Sequence, residues 1–232
     1  MALPQLATAK YELTLPSTGE KVEYRPFLVK EEKILMIAQA TGKQEDILRY
    51  IEQIIDECTL KKLKVQTLPL FDLEYMFLQL RSKSVGAEST VNVTCPDDMK
   101  TKVEVTINLE EIKCHKEVGH DNNIKLTDTI GIVMDYPRVN AISSIVDSDA
   151  ETAFNIIKNC VRQVYDAESV HDRNDMDDKE LEVFLESMNH EQFVKIQDFF
   201  ETMPKVKHSV KVKNPNTGVE SEVVLEGLNS FF

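Results

Sequence analysis

Residues His208–Phe232 read HSVKVKNPNTGVESEVVLEGLNSFF, and their pattern indicates the kind of structure to expect in the rest of the chain. Apolar and polar residues alternate on both sides of Asn214–Gly218, NPNTG. Proline presets φ at the second residue of a turn, and glycine tolerates the positive φ that closes it. Period-two spacing on both flanks of such a turn predicts a β-hairpin with one buried face.

Two other stretches repeat this pattern. Tyr11–Tyr24 alternates around Pro16–Gly19, and Val91–Leu109 alternates around Cys95–Met99. Between these stretches, apolar residues recur at helical spacing. The sequence therefore predicts an α+β fold in which three β-hairpins are interleaved with about six amphipathic helices.

The helical segments are predicted from their apolar spacing and their end signals. In the first part of the chain they are Lys30–Thr41 (inner face Ile34, Ile37, Ala38 and Thr41, stopped by Gly42), Gln44–Cys58 (Ile47, Ile51, Ile54, Ile55 and Cys58) and a helix opened by Pro69 (Leu73, Met76, Phe77 and Leu80). Later they are a helix capped by Asp149 (Phe154, Ile157, Val161 and Val164), a helix begun by Asp177 with Glu180, and a helix begun by Asn189 with Gln192 (Phe193, Ile196, Phe200 and Met203).

Ile124–Met134 fits either a strand or a short helix. We expect a subdomain division into residues 1–88 and 89–232, within one continuous α+β body.

Composition limits the classes of partner. The chain has 40 acidic and 27 basic residues, which gives a net charge of −13. Nucleic-acid binders concentrate Lys and Arg on one face, and anionic membranes attract basic segments, so we expect neither partner. No apolar run has the length of a membrane span and no secretory signal is present, while four widely spaced cysteines suit a reducing cytoplasm.

The motifs contain no catalytic set. The seven glycines are scattered, so loops that cradle phosphates or dinucleotides are missing. His190–Glu191 starts like a zinc-protease motif, but Val194 stands where the second histidine belongs. The acidic run Asp172–Asp178 lacks the glycine and the glutamate of a calcium-binding EF-hand loop. We therefore expect no catalytic residues, no enzyme activity and no cofactor.

A zinc site needs closer consideration. The candidate ligands, all around the middle hairpin, are Cys95, Cys114, His115 and His120. A zinc knuckle takes two ligands that lie two to four residues apart in one turn. Asp97 or Asp98 fills the partner position of Cys95, and the corresponding positions of the last hairpin hold Asn214 and Thr217. We expect no complete metal site, and we expect turn chemistry and packing to hold the hairpins.

Five stretches together resemble one family, the T4-type bacteriophage baseplate hub proteins (gene twenty-six product-like). They are Tyr11–Gly19 with Arg25–Lys33, Phe71–Tyr75 running to Arg81–Gly86, Asp135–Pro137, Glu191–Phe193 running to Phe199–Lys205, and Leu225–Phe232. The resemblance lies in their order and spacing along nearly the whole chain. Members of the family often carry C-x-x-C pairs in the middle and last hairpins, which implies zinc-ribbon-like turns, whereas this sequence keeps only Cys95.

The resemblance implies a late viral protein that is needed to build the central hub of a contractile tail's baseplate, as a structural component or as an assembly factor. It implies other baseplate hub or tail proteins of the same phage as partners. The implied location is the host cytoplasm during assembly, with the tail baseplate of the virion as the alternative final location.

The end of the last hairpin supplies candidate partner-binding residues, which are Leu228, Phe231 and Phe232. The two phenylalanines either enter a partner's pocket or tuck into the core of the protein itself. Two other functions stay open: an acidic inhibitor that imitates the charge of DNA and blocks a host nucleic-acid enzyme, and a zinc-stabilised hairpin binding module.

Overall fold

The computed structural model describes residues 6–41, 44–142 and 150–231. The strands are β1 (Tyr11–Thr14), β2 (Lys21–Tyr24), β3 (Glu88–Thr94), β4 (Lys102–Asn108), β5 (Lys113–His115), β6 (Asn123–Lys125), β7 (Gly131–Met134), β8 (Val161–Tyr165), β9 (Val170–Asp172), β10 (Lys205–Lys213) and β11 (Glu220–Glu226). The α-helices are α1 (Val29–Thr41), α2 (Gln44–Cys58), α3 (Leu70–Val85), α4 (Val139–Ile142), α5 (Ala150–Cys160), α6 (Asp178–Glu186) and α7 (His190–Thr202). The predicted α+β class is confirmed.

The chain divides into two compact units. Unit 1 contains residues 1–115 and 205–232, and unit 2 contains residues 116–204. This division differs from the one expected near residue 88. The physical reason is that β10 returns to pair with β5, with Lys205 opposite His115 and Lys207 opposite Lys113, so the last hairpin joins the first part of the chain.

All three predicted hairpins lie in unit 1, and their turns close in the same way. The amide of the fifth turn residue donates to the carbonyl of the first, from Gly19 to Leu15 at 2.9 Å, from Met99 to Cys95 at 3.0 Å and from Gly218 to Asn214 at 2.8 Å. The donating residue has a positive φ in each turn, at 73°, 53° and 77°. Only the middle turn places a side chain at this left-handed position, where glycine is favoured.

Helices α2 and α3 each bury one apolar face in the core of unit 1. The predicted bounds of α2 are confirmed. Of its predicted inner face, Ile51, Ile54, Ile55 and Cys58 are fully buried, and Ile47 is half-buried. The predicted inner face of α3, with Leu73, Met76, Phe77 and Leu80, is also fully buried. Each such large apolar side chain contributes roughly 1.5–3 kcal/mol when it leaves water, so these two faces add substantially to the stability of unit 1.

The predicted inner face of α1 is wrong at Ile37, whose side chain is 53% exposed. Ile34 is half-buried, while the side chains of Ala38 and Thr41, and all of Gly42, lie outside the described residues. Residues 34–37 form a continuous apolar run around the helix, so apolar spacing alone does not select the buried side. The buried residue near the start of α1 is Glu31, which forms an ion pair with Arg25 at 2.8 Å.

Unit 2 combines a four-stranded antiparallel sheet, in the order β6-β7-β8-β9, with helices. Its buried cluster contains Ile124, Leu126, Ile132, Met134, Ile157, Cys160, Val161, Leu181, Leu185, Ile196 and Phe199. The stretch Ile124–Met134, for which strand and helix both fitted, contains the last two residues of β6 and all of β7. Of the predicted inner face of α7, Ile196 is buried, whereas Phe193, Phe200 and Met203 are half-buried. The second buried residue of this helix is Phe199, which the prediction did not include.

One predicted helix of unit 2 is too long. Helix α5 ends at Cys160, and Val161 and Val164 belong to β8 instead. Strand β8 pairs with β7, where the ring of Tyr165 lies so close to Gly131 that it leaves no room for a Cβ at that position. The predicted cap of this helix, Asp149, lies outside the described residues.

The two predicted capping pairs have different outcomes. Asn189 and Gln192 form a complete capping box, with side-chain to backbone distances of 2.9 and 3.0 Å. Asp177 occupies the N-cap position of α6 but makes no side-chain capping hydrogen bond. In the first turn of α6, Asp178 instead forms an ion pair with Arg173.

None of the helices within residues 6–41, 44–142 and 150–231 is long and apolar enough to cross a membrane.

Candidate functional site

The turns of the middle and last hairpins face each other and are joined through Asn214. Asn214 is 1% exposed, and its Nδ2 lies 3.0 Å from both carboxylate oxygens of Asp97 and from Oδ2 of Asp98. Its Oδ1 accepts hydrogen bonds from the backbone amides of Asn216, at 2.9 Å, and Thr217, at 3.4 Å. The amide group of Asn214 is therefore oriented by its own turn and donates to the opposite one.

Two further side-chain hydrogen bonds connect the same turns. Thr217 Oγ1 donates to Asp97 Oδ2 at 2.5 Å, and Asn216 Nδ2 donates to Thr101 Oγ1 at 2.9 Å. We call the set Asp97, Asp98, Thr101, Asn214, Asn216 and Thr217 the turn clasp. Hydrogen bonds to an ionised carboxylate are stronger than those between neutral groups, so the clasp depends on the two aspartates being charged.

The surroundings keep both aspartates ionised. Hydrogen bonds from Asn214 and Thr217 lower the pKa of Asp97. The hydroxyl and backbone amide of Thr101 and the backbone amide of Lys100 lower the pKa of Asp98 well below its usual range. The carboxylates therefore remain hydrogen-bond acceptors at neutral pH.

The first hairpin turn is held by a different carboxylate. Ser17 donates from its backbone amide to Asp72 Oδ1 at 3.0 Å and from its hydroxyl to Asp72 Oδ2. Asp72 lies in the first turn of α3 and is fully buried, and this burial raises its pKa. Sequence reasoning missed Asp72, although an acidic residue beside a fully apolar helix face is a detectable signal of a buried polar contact.

The four candidate zinc ligands lie in different surroundings. Cys95 is the buried first residue of the middle turn, Cys114 is half-buried opposite Val206, and His115 is exposed opposite Lys205. In unit 2, the ring nitrogens of His120 lie 2.9 Å from Thr202 Oγ1 and 3.2 Å from the hydroxyl of Tyr136. In the described part of the chain, no group of three or more His, Cys, Asp or Glu residues is arranged to hold a metal ion.

The buried thiols are poorly suited to act as nucleophiles. Burial raises the pKa of Cys58, Cys114 and Cys160 to about 12 in each case. A thiolate, not a thiol, attacks electrophiles, so these three residues are unreactive at neutral pH.

A polar cavity of about 690 Å³ lies in unit 2. Three arginines line it, and Arg138 and Arg162 lie 3.1 and 3.8 Å from the carboxylate of Asp135. The third, Arg173, pairs with Asp178. All three arginines therefore form ion pairs with aspartates of unit 2.

The candidate partner-binding residues near the C-terminus are largely buried within unit 1. Phe231 is fully buried and Leu228 is 8% exposed, and the carbonyl of Phe231 accepts a hydrogen bond from Arg81 Nη1 at 2.7 Å. Phe232 lies outside the described residues. For Phe231, the structure therefore shows the intramolecular alternative, and partner binding by Leu228 and Phe231 stays a prediction that requires these side chains to leave the core.

Helix α1 presents apolar side chains to solvent. Val29, Met36 and Ile37 are 71%, 62% and 53% exposed, and the i, i+7 and i, i+8 spacings from Val29 place them on one side of the helix. We call these three residues the exposed α1 face. Sequence reasoning missed this face. The signal was the apolar run at residues 34–37, because four consecutive helical residues point in different directions and cannot all face one core.

Comparison with known proteins gives a family and no close relative. A family described as T4 bacteriophage base plate protein matches residues 8–232. No curated protein and no solved structure matches the chain. The match spans both units and all three hairpins, so the chain belongs to the T4 bacteriophage base plate protein family.

Proposed function

We propose that this protein is a non-enzymatic component of the baseplate hub of a contractile phage tail, which acts through protein–protein contacts. The family match over residues 8–232 carries this proposal. The proposed partners are other hub or tail proteins of the same phage. Assembly takes place in the host cytoplasm, and the protein serves either as a lasting part of the virion baseplate or as an assembly factor.

The exposed α1 face is the surface that we assign to a partner. Its apolar side chains, Val29, Met36 and Ile37, are more than half exposed, and clustered exposed apolar residues are a feature of protein–protein interfaces. Lys33 lies between Val29 and Ile37 at i, i+4 spacing and is exposed, so the partner surface would be apolar with an acidic group near its centre.

Affinity purification from infected cells tests both the function and the surface. Tagged wild-type protein should retrieve baseplate or tail proteins that mass spectrometry identifies. Replacing Met36 and Ile37 by Glu should abolish this retrieval, because a charge in the centre of an apolar contact loses its hydration without gaining a partner.

The matched control is the double variant Val170→Glu and Val183→Glu, which introduces the same two charges at apolar residues that are each 65% exposed. Both variants should melt at the temperature of the wild-type protein. Wild-type protein that retrieves no tail component contradicts the proposed function, whereas equal retrieval by the α1 variant contradicts only the assignment of the surface.

Mass spectrometry of purified virions separates the two forms of the proposal. A lasting structural component is present at a fixed ratio to other baseplate proteins. An assembly factor is found in infected-cell extracts and in baseplate intermediates, and is absent from finished particles.

A further inference from the structure

The turn clasp has the spacing of a paired-turn metal site. Structural zinc sites often take two ligands, separated by two residues, from each of two facing turns. Here the first and fourth positions hold Cys95 and Asp98 in one turn, and Asn214 and Thr217 in the other. Both turns close with the same backbone hydrogen bond between their first and fifth residues, so these four side chains start from equivalent positions.

The residues present do not fit a metal ion. Asn214 directs the hydrogens of Nδ2, not a lone pair, at Asp97 and Asp98, and both amides of its own turn occupy its Oδ1. A metal ligand must offer a lone pair, which Asn214 does not direct at the opposite turn.

The nitrogen of Asn214 has the environment that a cation would have. Three carboxylate oxygens from two aspartates lie 3.0 Å from it, and a fourth interaction, from Thr217 to Asp97, completes the bridge between the turns. The positive end of the amide dipole thus offsets the repulsion between two neighbouring carboxylates.

We infer that the turn clasp joins the two turns without a metal ion, in the place where a four-ligand site at Cys95, Asp98, Asn214 and Thr217 would lie. The neutral amide group of Asn214, with its N–H groups directed at the carboxylates, takes the place of the metal ion. The clasp joins residues that are 117 positions apart, with all of unit 2 between them. It therefore ties the β3–β4 hairpin to the β10–β11 hairpin without depending on metal supply or on thiol oxidation state.

The wild-type protein supplies the first test. Zinc ions and a metal chelator should each leave its melting temperature unchanged. Asn214→Ala should lower the melting temperature by several degrees, because it removes the donor shared by both aspartates. Asn216→Ala, which removes only the hydrogen bond to Thr101 in the same turn, is the matched control and should have a smaller effect.

Introducing cysteine ligands into the two turns supplies the second test. The full chain with Asp98→Cys, Asn214→Cys and Thr217→Cys, together with the native Cys95, should bind about one Zn²⁺ and give the absorption spectrum of a tetrahedral thiolate site with Co²⁺. Adding Cys95→Ser to these changes should weaken zinc affinity roughly tenfold or more, since loss of a ligand exceeds the effect of an outer-shell change.

The triple variant should be refolded both with and without Zn²⁺, so that a variant that is unfolded without metal still gives a result. Refolding that is restored or strengthened by Zn²⁺ supports the inference. A triple variant that folds and gains no zinc affinity overturns it, and so does one that fails to refold even with Zn²⁺. A chelator-sensitive wild-type melting temperature also overturns it.

Discussion

Lys205 lies directly opposite His115 in the antiparallel pair of β10 and β5. Residues opposite each other in such a pair have Cα atoms about 4.5–5.5 Å apart. The chain therefore leaves unit 1 after His115 and returns to it at a neighbouring point. Unit 2 is an insertion between two paired strands.

We predict that unit 1 folds without the insertion. Replacing residues 116–204 by Asn-Gly, the dipeptide most favoured in two-residue hairpin turns, should connect β5 directly to β10. The shortened protein should melt cooperatively, because the buried faces of α2 and α3 and the turn clasp all lie in unit 1. Circular dichroism and calorimetry measure this.

The control is a fragment of residues 1–115, which lacks β10, β11 and half of the clasp. It should show no cooperative transition. A shortened protein that behaves like this fragment contradicts the description of unit 2 as an insertion.

Glu74 should make unit 1 less stable at alkaline pH. Burial raises the pKa of Glu74 to about 7, although it accepts a hydrogen bond from the backbone of Leu228. The folded state therefore holds its proton more tightly than the unfolded state, and stability falls as pH rises from about 4.5 through about 7. Glu74→Gln keeps an acceptor and has no charge, so it should stabilise the protein by roughly 2–3 kcal/mol above pH 7 and by little near pH 4.5.

Urea denaturation at both pH values measures the effect of Glu74→Gln. The comparison is Glu222→Gln on the exposed side of β11, which should give the same small change at either pH. A gain from Glu74→Gln that is equal at the two pH values is evidence against the titration of Glu74 and for a packing effect.

His120 should make unit 2 less stable in acid. Burial, and to a smaller extent Lys116, lower its pKa, while Asp121 acts in the opposite direction. The unfolded state then binds a proton more tightly than the folded state, so stability falls as pH decreases below about 6.5 and levels off beneath the folded pKa. His120→Gln should remove this step from a plot of melting temperature against pH.

The exposed His190, changed to Gln, is the matched variant and should leave the acid step of unit 2 in place. An unchanged step in the His120 variant would show that other titratable groups cause the acid sensitivity.

Two isoleucines in unit 1 should differ sharply when changed to alanine. Ile51 is fully buried in α2, and Ile51→Ala should destabilise the protein by about 2–5 kcal/mol through lost burial and the cavity left behind. Ile37 is 53% exposed in α1, and Ile37→Ala should change stability by about 0.5 kcal/mol or less. Similar losses from both, measured by urea denaturation, mean that α1 packs its other side inward.

The turns and the strongest helices follow from local sequence. Proline at the second position and a residue of positive φ at the fifth define all three hairpin turns. In α2, apolar residues form a single stripe, so both its bounds and its buried face were predictable. The capping box at Asn189 was also predictable, because all of its hydrogen-bonding atoms lie within four consecutive residues.

Contacts between distant residues decide what the sequence does not reveal. Val161 and Val164 have a spacing that suits a helix, and pairing of β8 with β7 makes them a strand. The division into units depends on β10 meeting β5, which has no local signal. For the clasp, equal spacing in two turns indicated matching positions, but the contact of Asn214 with Asp97 required the structure.

The place of β10 after the insertion sets an order of events on the ribosome. Chains emerge from their amino-terminal end, and domains generally fold as units. All of residues 116–204 emerge before Lys205, so unit 2 can complete its core while β5 still has an unpaired edge. Unpaired edges template aggregation, and the nascent surrounding unit is therefore the part of this protein that most needs chaperone protection.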